Sequence, residues 1–167
     1  MFTDKTSMKV HELFEDEERS VKSILSILGK QPKKIKRDFI CSSMRLTSLE
    51  GSPKEVGGAF LCSSNKLTSL EGISPIIRLQ LSCIANKLTS LHNIHKQIKH
   101  IGGRANFTFN PIRSHVLGLL LIDGLKNVLF SNKKVEAIIN KHLEGDRDIF
   151  ACQEELIEAG LEEFAQL

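Results

Sequence analysis

"CSSNKLTSLEG" occupies residues 62–72, and near-copies lie on both sides of it: "CSSMRLTSLEG" at 41–51 and "CIANKLTSLHN" at 83–93. Cys41, Cys62 and Cys83 are thus each 21 positions apart. Self-similarity at such an interval marks a stack of supersecondary units, none of which can bury its apolar face alone. Working outward gives four units: "PKKIKRDFICSSMRLTSLEG" (32–51), "PKEVGGAFLCSSNKLTSLEG" (53–72), "SPIIRLQLSCIANKLTSLHN" (74–93) and a looser "KQIKHIGGRANFTFNPI" (96–112) after a three-residue insertion.

Each unit reads as one coil. Phe39 and Cys41, Phe60 and Cys62, and Leu81 and Cys83 alternate at period two, which predicts the inward face of a short strand. Asn65, Asn86 and Asn110 then mark the turn off the strand, where an amide can bond the backbone of the neighbouring coil. Leu46/Leu49, Leu67/Leu70 and Leu88/Leu91 fill the core, and Ile35, Val56, Ile77 and Ile98 are assigned to the return leg. The expected fold is an α/β solenoid of about four coils built on a parallel sheet. The cysteines read as small buried core residues. Coils about 4.7–4.9 Å apart suit three thiolates on one zinc poorly.

The frame resembles a leucine-rich repeat of the short bacterial type, in which the turn is followed by Leu-Thr-x-Leu and a Pro-x-x-Leu return. The resemblance covers about residues 32–112 and departs at Met44, which stands where the first unit would carry Asn. Together with "RDIFACQEELIEAGLEEFAQL", the "LTSLEG" repeats also resemble leucine-rich repeat proteins encoded by tailed bacteriophages. That resemblance implies a host-cell protein as partner, bound and inhibited, a defence factor among the options, in the host cytoplasm. It implies no activity. Repeat proteins of this style in bacterial pathogens often carry a ubiquitin-ligase domain with a catalytic cysteine, for which this chain is far too short.

The segments outside the repeats divide the chain into 1–31, 32–112 and 113–167. In the first, Val21, Ile24, Leu25 and Leu28 follow helical spacing with Gly29 as a stop, which predicts an N-terminal helical cap. Val10, Leu13 and Phe14 suit an earlier turn of it, and the acids at 15–18 suit its N-terminus. In the last, "SHVLGLLLIDG" predicts a helix from Ser114 to Gly124, and "LKNVLF" (125–130) is ambiguous with a short strand as one reading. "SNKKVEAIINKHLEG" predicts a helix capped by Ser131 or Asn132, with Val135, Ile138, Ile139 and His142 on one face. "DRDIFACQEELIEAG" predicts another, with Ile149, Cys152 and Leu156 together. These make a C-terminal helical subdomain packed on the last coil.

Composition narrows the function. Of the aromatic residues only nine Phe are present, less than a nucleotide or sugar site usually wants. Net charge is +3, but the charges are segregated: "GKQPKKIKR" (29–37) holds five bases and no acid, whereas residues 146–167 hold seven acids and one base. That suits a bipolar surface. The N-terminus carries acids where a signal peptide needs positive charge, and "VLGLLLI" (116–122) is too short to span a bilayer, so a cytosolic protein with reduced cysteines and no membrane contact is expected.

No catalytic or metal pattern emerges. Cys152 sits among acids in "CQEELIE", a poor setting for a reactive thiol. His92, His95 and His100 share one stretch without a completing ligand and read as solvated. Gly57-Gly58 and Gly102-Gly103 precede strands rather than a helix and read as turn glycines. No cofactor is expected. Outward strand positions form three columns: Asp38, Ala59, Gln80, Arg104; Ile40, Leu61, Ser82, Asn106; and Ser42, Ser63, Ile84, Thr108. Exposed Ile40, Leu61 and Ile84, rimmed by polar groups, mark a protein-contact site on the concave face. The expected contact set is Asp38, Ile40, Leu61, Gln80, Ile84, Arg104 and Asn106, on a non-enzymatic protein-binding module. The alternatives are a self-assembling or structural phage component, with the C-terminal helices open to self-association, and the less favoured nucleic-acid binding through the basic 30–37 run.

Overall fold

The computed structural model describes residues 20–22 and 33–167. Two parallel sheets run through the repeats. The back sheet pairs β1 (Lys34–Ile35), β3 (Glu55–Val56), β5 (Ile76–Ile77) and β7 (His100–Ile101) in that order. The front sheet pairs β2 (Phe39–Ile40), β4 (Phe60–Leu61), β6 (Leu81–Ser82), β8 (Arg104–Asn106) and β9 (Asn127–Leu129). Each of the first four coils thus gives one short strand to each sheet and the fifth gives one to the front sheet, and the chain is a β-solenoid of about five turns with helices at its C-terminal side. Strands of two or three residues suffice because every coil donates to the next: Cys41 N to Leu61 O (2.8 Å), Cys62 N to Ser82 O (2.9 Å), Cys83 N to Asn106 O (2.9 Å) and Phe107 N to Leu129 O (2.9 Å).

The core lies between the sheets and is filled by two inward columns of the front sheet. One runs Phe39, Phe60, Leu81, Ala105, Val128 and the other Cys41, Cys62, Cys83, Phe107, Phe130, all buried. The columns compensate. Where the first holds paired phenylalanines (Phe39 and Phe60, centroids 5.1 Å apart and tilted by 52°) the second holds cysteines. Where the first shrinks to Ala105 and Val128, the second carries Phe107 and Phe130, stacked at 5.7 Å. Coil volume therefore stays roughly constant, as close packing demands.

The predicted asparagine ladder is present. Asn65 Oδ1 accepts from Met44 N (3.0 Å) and Leu46 N (2.9 Å), while its Nδ2 donates to Cys41 O and Cys62 O (both 2.9 Å). Asn86 accepts from Leu67 N (3.1 Å) and donates to Cys62 O (3.1 Å) and Cys83 O (3.2 Å). Asn110 accepts from Leu88 N and donates to Cys83 O and Phe107 O. Each amide stitches its own coil to the preceding one.

The corner glycines are required by proximity. A Cβ on Gly57 would lie 2.5 Å from Lys36 O, and one on Gly102 would lie 1.9 Å from Arg78 O. The return-leg register differs from expectation in the fourth coil: Ile101, not Ile98, aligns with Ile35, Val56 and Ile77. Ile98 is fully buried all the same, at the end of α1 (Ile94–Gln97), the single helical turn that the three-residue insertion forms.

The segment after Pro111 departs further. Instead of a helix from Ser114 to Gly124, a 3-10 turn spans Leu117–Leu121, and the chain then descends so that Asp123 bridges His100 on the back sheet. "LKNVLF" supplies β9, so a fifth coil precedes the helices. Arg147 holds this coil's return: its guanidinium donates to Ile122 O (2.8 Å) and Leu125 O. Helices α2 (Lys133–Glu144) and α3 (Ile149–Glu158) follow. Asn132 caps α2 by accepting from Lys134 N and Val135 N, and Asp148 caps α3 in the same way. Val135, Ile138, Ile139 and His142 are buried as expected, as are Cys152 and Leu156, with Ile149 half-buried. Helix α2 closes the outer edge of β9: Asn140 accepts from Val128 N (2.7 Å) and donates to Val128 O (2.9 Å), and Glu136 accepts from Phe130 N (2.7 Å).

Of the N-terminal cap, Val21 is buried and Lys22 N donates to Glu50 O (2.6 Å). Val10, Leu13, Phe14, the acids at 15–18, Ile24, Leu25, Leu28 and Gly29 lie outside the described residues.

Candidate protein-contact face of the front sheet

The register places the outward columns of the front sheet as the 21-residue spacing predicts, and extends them by a strand. Ile40 pairs with Leu61, Leu61 with Ser82, Ser82 with Asn106, and Asn106 with Leu129. Ile40 is 46% exposed, while Leu61, Ile84 and Leu129 are half-buried. Ile40 and Leu61 are direct neighbours, and Ile84 lies diagonally beyond, two residues past the Ser82 that faces Leu61. Leu129 belongs to the same column but is separated from Leu61 by Ser82 and Asn106. Its signal was in the sequence, since "VLF" alternates inward Val128 and Phe130 around it.

The polar members of the expected set divide into two kinds. Asp38 Oδ1 accepts from Ala59 N (2.7 Å), folding over Gly58 and helping to bury Ala59. Asn106 Oδ1 accepts from Thr108 N (3.0 Å) and Thr108 Oγ1 (2.8 Å). Both are engaged in holding their own turns. Gln80 and Arg104 are joined by a 3.2 Å bond from Arg104 Nε and stand beside the aliphatic strip. Ser42 accepts from Ser63 N (3.1 Å), and Ser63 Oγ meets Ser82 Oγ (2.9 Å).

One exposed aromatic borders this face and went unread. Phe109 is 75% exposed at the turn leaving β8. Its φ of 58° repeats those of Ser43 (58°), Ser64 (57°) and Ala85 (53°), the equivalent residues of earlier coils. Counting two positions from each cysteine, or from Phe107, would have found it.

Elsewhere the titratable groups are occupied structurally. Burial pushes the Cys41 thiol well up, and Cys62, whose Sγ lies 3.0 Å from Cys83 Sγ, is raised by that contact and by burial. Cys152 is pushed up to about 12 by burial first and Glu155 second. A thiol so disposed is a poor nucleophile at neutral pH. The histidines are less solvated than expected. His100 Nδ1 pairs with Asp123 Oδ2 at 2.7 Å, a carboxylate the local sequence did not offer. His95 is half-buried and held below its usual range by burial, then by Lys96 and Lys99. His92 meets the ring of His115 edge-on at 4.7 Å, and burial and His92 hold His115 low. His115 Nδ1 contacts Ser90 Oγ (3.0 Å) and Ser114 Oγ (2.9 Å), with no carboxylate paired to it among the described residues. Of these, Ser90 and His92 also line a hollow of about 430 Å³ between the turns of the second and third coils and α1. Among the described residues, no group of three His, Cys, Asp or Glu is arranged to hold a metal ion, and no helix is long and apolar enough to cross a membrane. Of the basic run, Lys34 pairs with Glu55 (2.9 Å), Lys33, Lys36 and Arg37 are exposed, and residues 30–32 lie outside the described residues.

No family model, no curated protein and no solved structure matches the chain.

Proposed function

We propose that this protein is a non-enzymatic binding module that holds another protein against the outer face of its front sheet. The observation that carries the reading is the adjacent pair Ile40 and Leu61 on neighbouring strands, extended diagonally by Ile84 and beside the Gln80–Arg104 pair. Aliphatic anchors ringed by polar groups supply most of the energy at protein interfaces. The sheet is formed from short, backbone-locked strands, so it offers this surface without reorganisation. The resemblance to phage repeat proteins extends the proposal: the partner is a host-cell protein met in the cytoplasm, and its capture blocks it.

The test is a pull-down from host-cell lysate read by mass spectrometry, run in parallel with Leu61→Asp and Leu67→Asp. Leu61 is half-buried and Leu67 fully buried. Leu61→Asp should lose the captured protein, each anchor being worth about 2 kcal/mol or more, while its melting temperature falls only slightly. Leu67→Asp should unfold the solenoid. Equal capture by Leu61→Asp and parent means that the front sheet is idle, and the exposed acidic side of α3 becomes the contact surface to test next.

A further inference from the structure

The front sheet is bordered on both sides by cations, which the coil register stacks into a row on one of them. On the side where the chain enters the sheet, one register position holds Arg37, Gly58, Leu79, Gly103 and Lys126 in successive coils, so its two cations stand at opposite ends of the sheet. Arg104 stands one position inside that border. On the side where the chain leaves, Lys66 N donates to Leu46 O and Lys87 N to Leu67 O (both 2.8 Å), which stacks Arg45, Lys66 and Lys87 one per coil. All six are exposed, and none has a carboxylate partner among the described residues. The sheet between them carries the single carboxylate of Asp38, already engaged with Ala59 N.

Coils stack about 4.8 Å apart, so Arg45, Lys66 and Lys87 together span about 10 Å, close to one Debye length at physiological salt, and act as a unit. Arg37 stands about 19 Å from Lys126 and acts separately from the Arg104–Lys126 pair. Between the two borders runs the aliphatic strip of Ile40, Leu61 and Ile84. From the column of Asp38 to that of Ser42 is four residue steps, about 13 Å, close to the 10–12 Å breadth of one α-helix with its side chains. Resting on the reading that this face binds a protein, we propose that the part of the partner seated here is acidic and amphipathic: one helix whose aliphatic stripe meets the strip and whose carboxylates meet the row of Arg45, Lys66 and Lys87 on one flank and Arg37, Arg104 and Lys126 on the other.

A nucleic-acid strand would satisfy the cations but leave the strip against sugar and phosphate. It would also need aromatic platforms. The rings the sheet owns, Phe39, Phe60, Phe107 and Phe130, all point into the core, and the exposed Phe109 stands beyond the sheet at a turn.

The probe is a synthetic helix-forming peptide about 18 residues long, with leucines along one face and glutamates elsewhere. A single strand of thymidines of similar length serves as the competing polyanion. Binding is followed by fluorescence anisotropy to the parent, to Leu61→Asp, and to the paired exposed changes Lys66→Glu and Lys87→Glu, each first shown by its melting curve to be folded. The peptide should bind the parent better than the thymidine strand, and Leu61→Asp should abolish that binding. The double charge reversal should weaken it about tenfold or more at about 50 mM salt, with the difference vanishing near 500 mM. If the thymidine strand binds as tightly as the peptide, the partner is a nucleic acid and the proposal fails. If the peptide does not bind, or binds regardless of either variant, it fails as well. If lysate capture depends on Leu61 but not on Lys66 and Lys87, the protein-binding reading stands and the acidic partner is overturned alone.

Discussion

The amide of Asn86 occupies a corner where it bonds four backbone groups from two coils. The carbonyls of Cys62, Cys83 and Ile84 also accept from Asn65, Asn110 and Ser64 N, whereas Leu67 N relies on Asn86. Its oxygen accepts from Leu67 N, and its nitrogen donates to Cys62 O, Cys83 O and, more weakly at 3.4 Å, Ile84 O. Asn86→Ala removes the side chain and leaves those groups in place. Leu67 N loses its partner and the carbonyls each lose one of two, so the loss should be about 2 kcal/mol, read from denaturant unfolding. Met44 occupies the same corner of the first coil and packs against the core instead. Met44→Ala should therefore cost what a partly buried apolar contact is worth, about 1 kcal/mol. Equal effects for the two changes would mean that the ladder contributes no more than ordinary packing.

Among the elements, β9 and α2 show how the sheet ends. A fifth strand leaves an edge of unpaired N–H and C=O groups, which in general invites further strands. Asn140 and Glu136 fill that edge from the helix, imitating a strand with side chains. Asn140→Ala should destabilise the protein by about 1–3 kcal/mol, and amide exchange at Val128 should quicken more than at Val56. If Val128 keeps its protection, the edge is covered by something other than Asn140. Coils one to three were legible because Cys and Leu recur at a fixed interval, and the fourth because its glycine pair and Asn110 repeat those of the second. The fifth was not, because three residues past Phe130, where the ladder asparagine belongs, stands Lys133, the first residue of α2. "SHVLGLLLIDG" has the residues of a helix, yet Asp123 must reach the back sheet beside His100, and that tertiary requirement tightens the segment into a 3-10 turn. The aliphatic columns of the contact face followed from strand alternation alone. The cation row was in plain view as "MRL", "NKL" and "NKL", but its pairing across the sheet with Arg37, Arg104 and Lys126 depends on which coils touch. The commitment of Asp38 and Asn106 to local turns depends on side-chain geometry that spacing does not encode.

The whole molecule should be most stable in a window set by two kinds of group. His95 and His115 are held below the ordinary 6.5 of histidine, so the unfolded chain takes up protons first and stability falls as pH drops below about 6.5. Glu55, Asp123, Glu136 and Glu155 are lowered as well, which adds a second loss as pH falls below the usual carboxylate range. At the alkaline end the sign reverses. Cys41, Cys62 and Cys152 are raised above the ordinary 9.0 of a thiol, so the fold favours the protonated form, and that contribution is lost as pH rises above 9.0. Melting temperature against pH should show a plateau between about 6.5 and 9.0 with a fall on both sides. Cys152→Ala should lower the plateau through lost packing yet make the alkaline fall shallower. An alkaline limb unchanged by that substitution would assign the fall to other groups.

The paired inward columns, one narrowing as the other widens, bear on how such a chain could lengthen. Because the volume within each coil is nearly constant, a tandem duplicate of residues 53–73 would find a fitting neighbour on either side: behind it a coil like its own, with phenylalanine beside phenylalanine, thiol beside thiol and an asparagine reaching back, and ahead of it the Leu81–Cys83 coil that Phe60 already packs against. The fourth coil has no such freedom. Helix α1 seats His95 against Gly118 of the 3-10 turn, where even a methyl group would approach its ring to 2.9 Å, and Phe107 is matched to Phe130 alone. Growth by duplication is therefore open near one end of the array and closed at the other, and a descendant with more coils would gain front-sheet surface without disturbing the helices that terminate it.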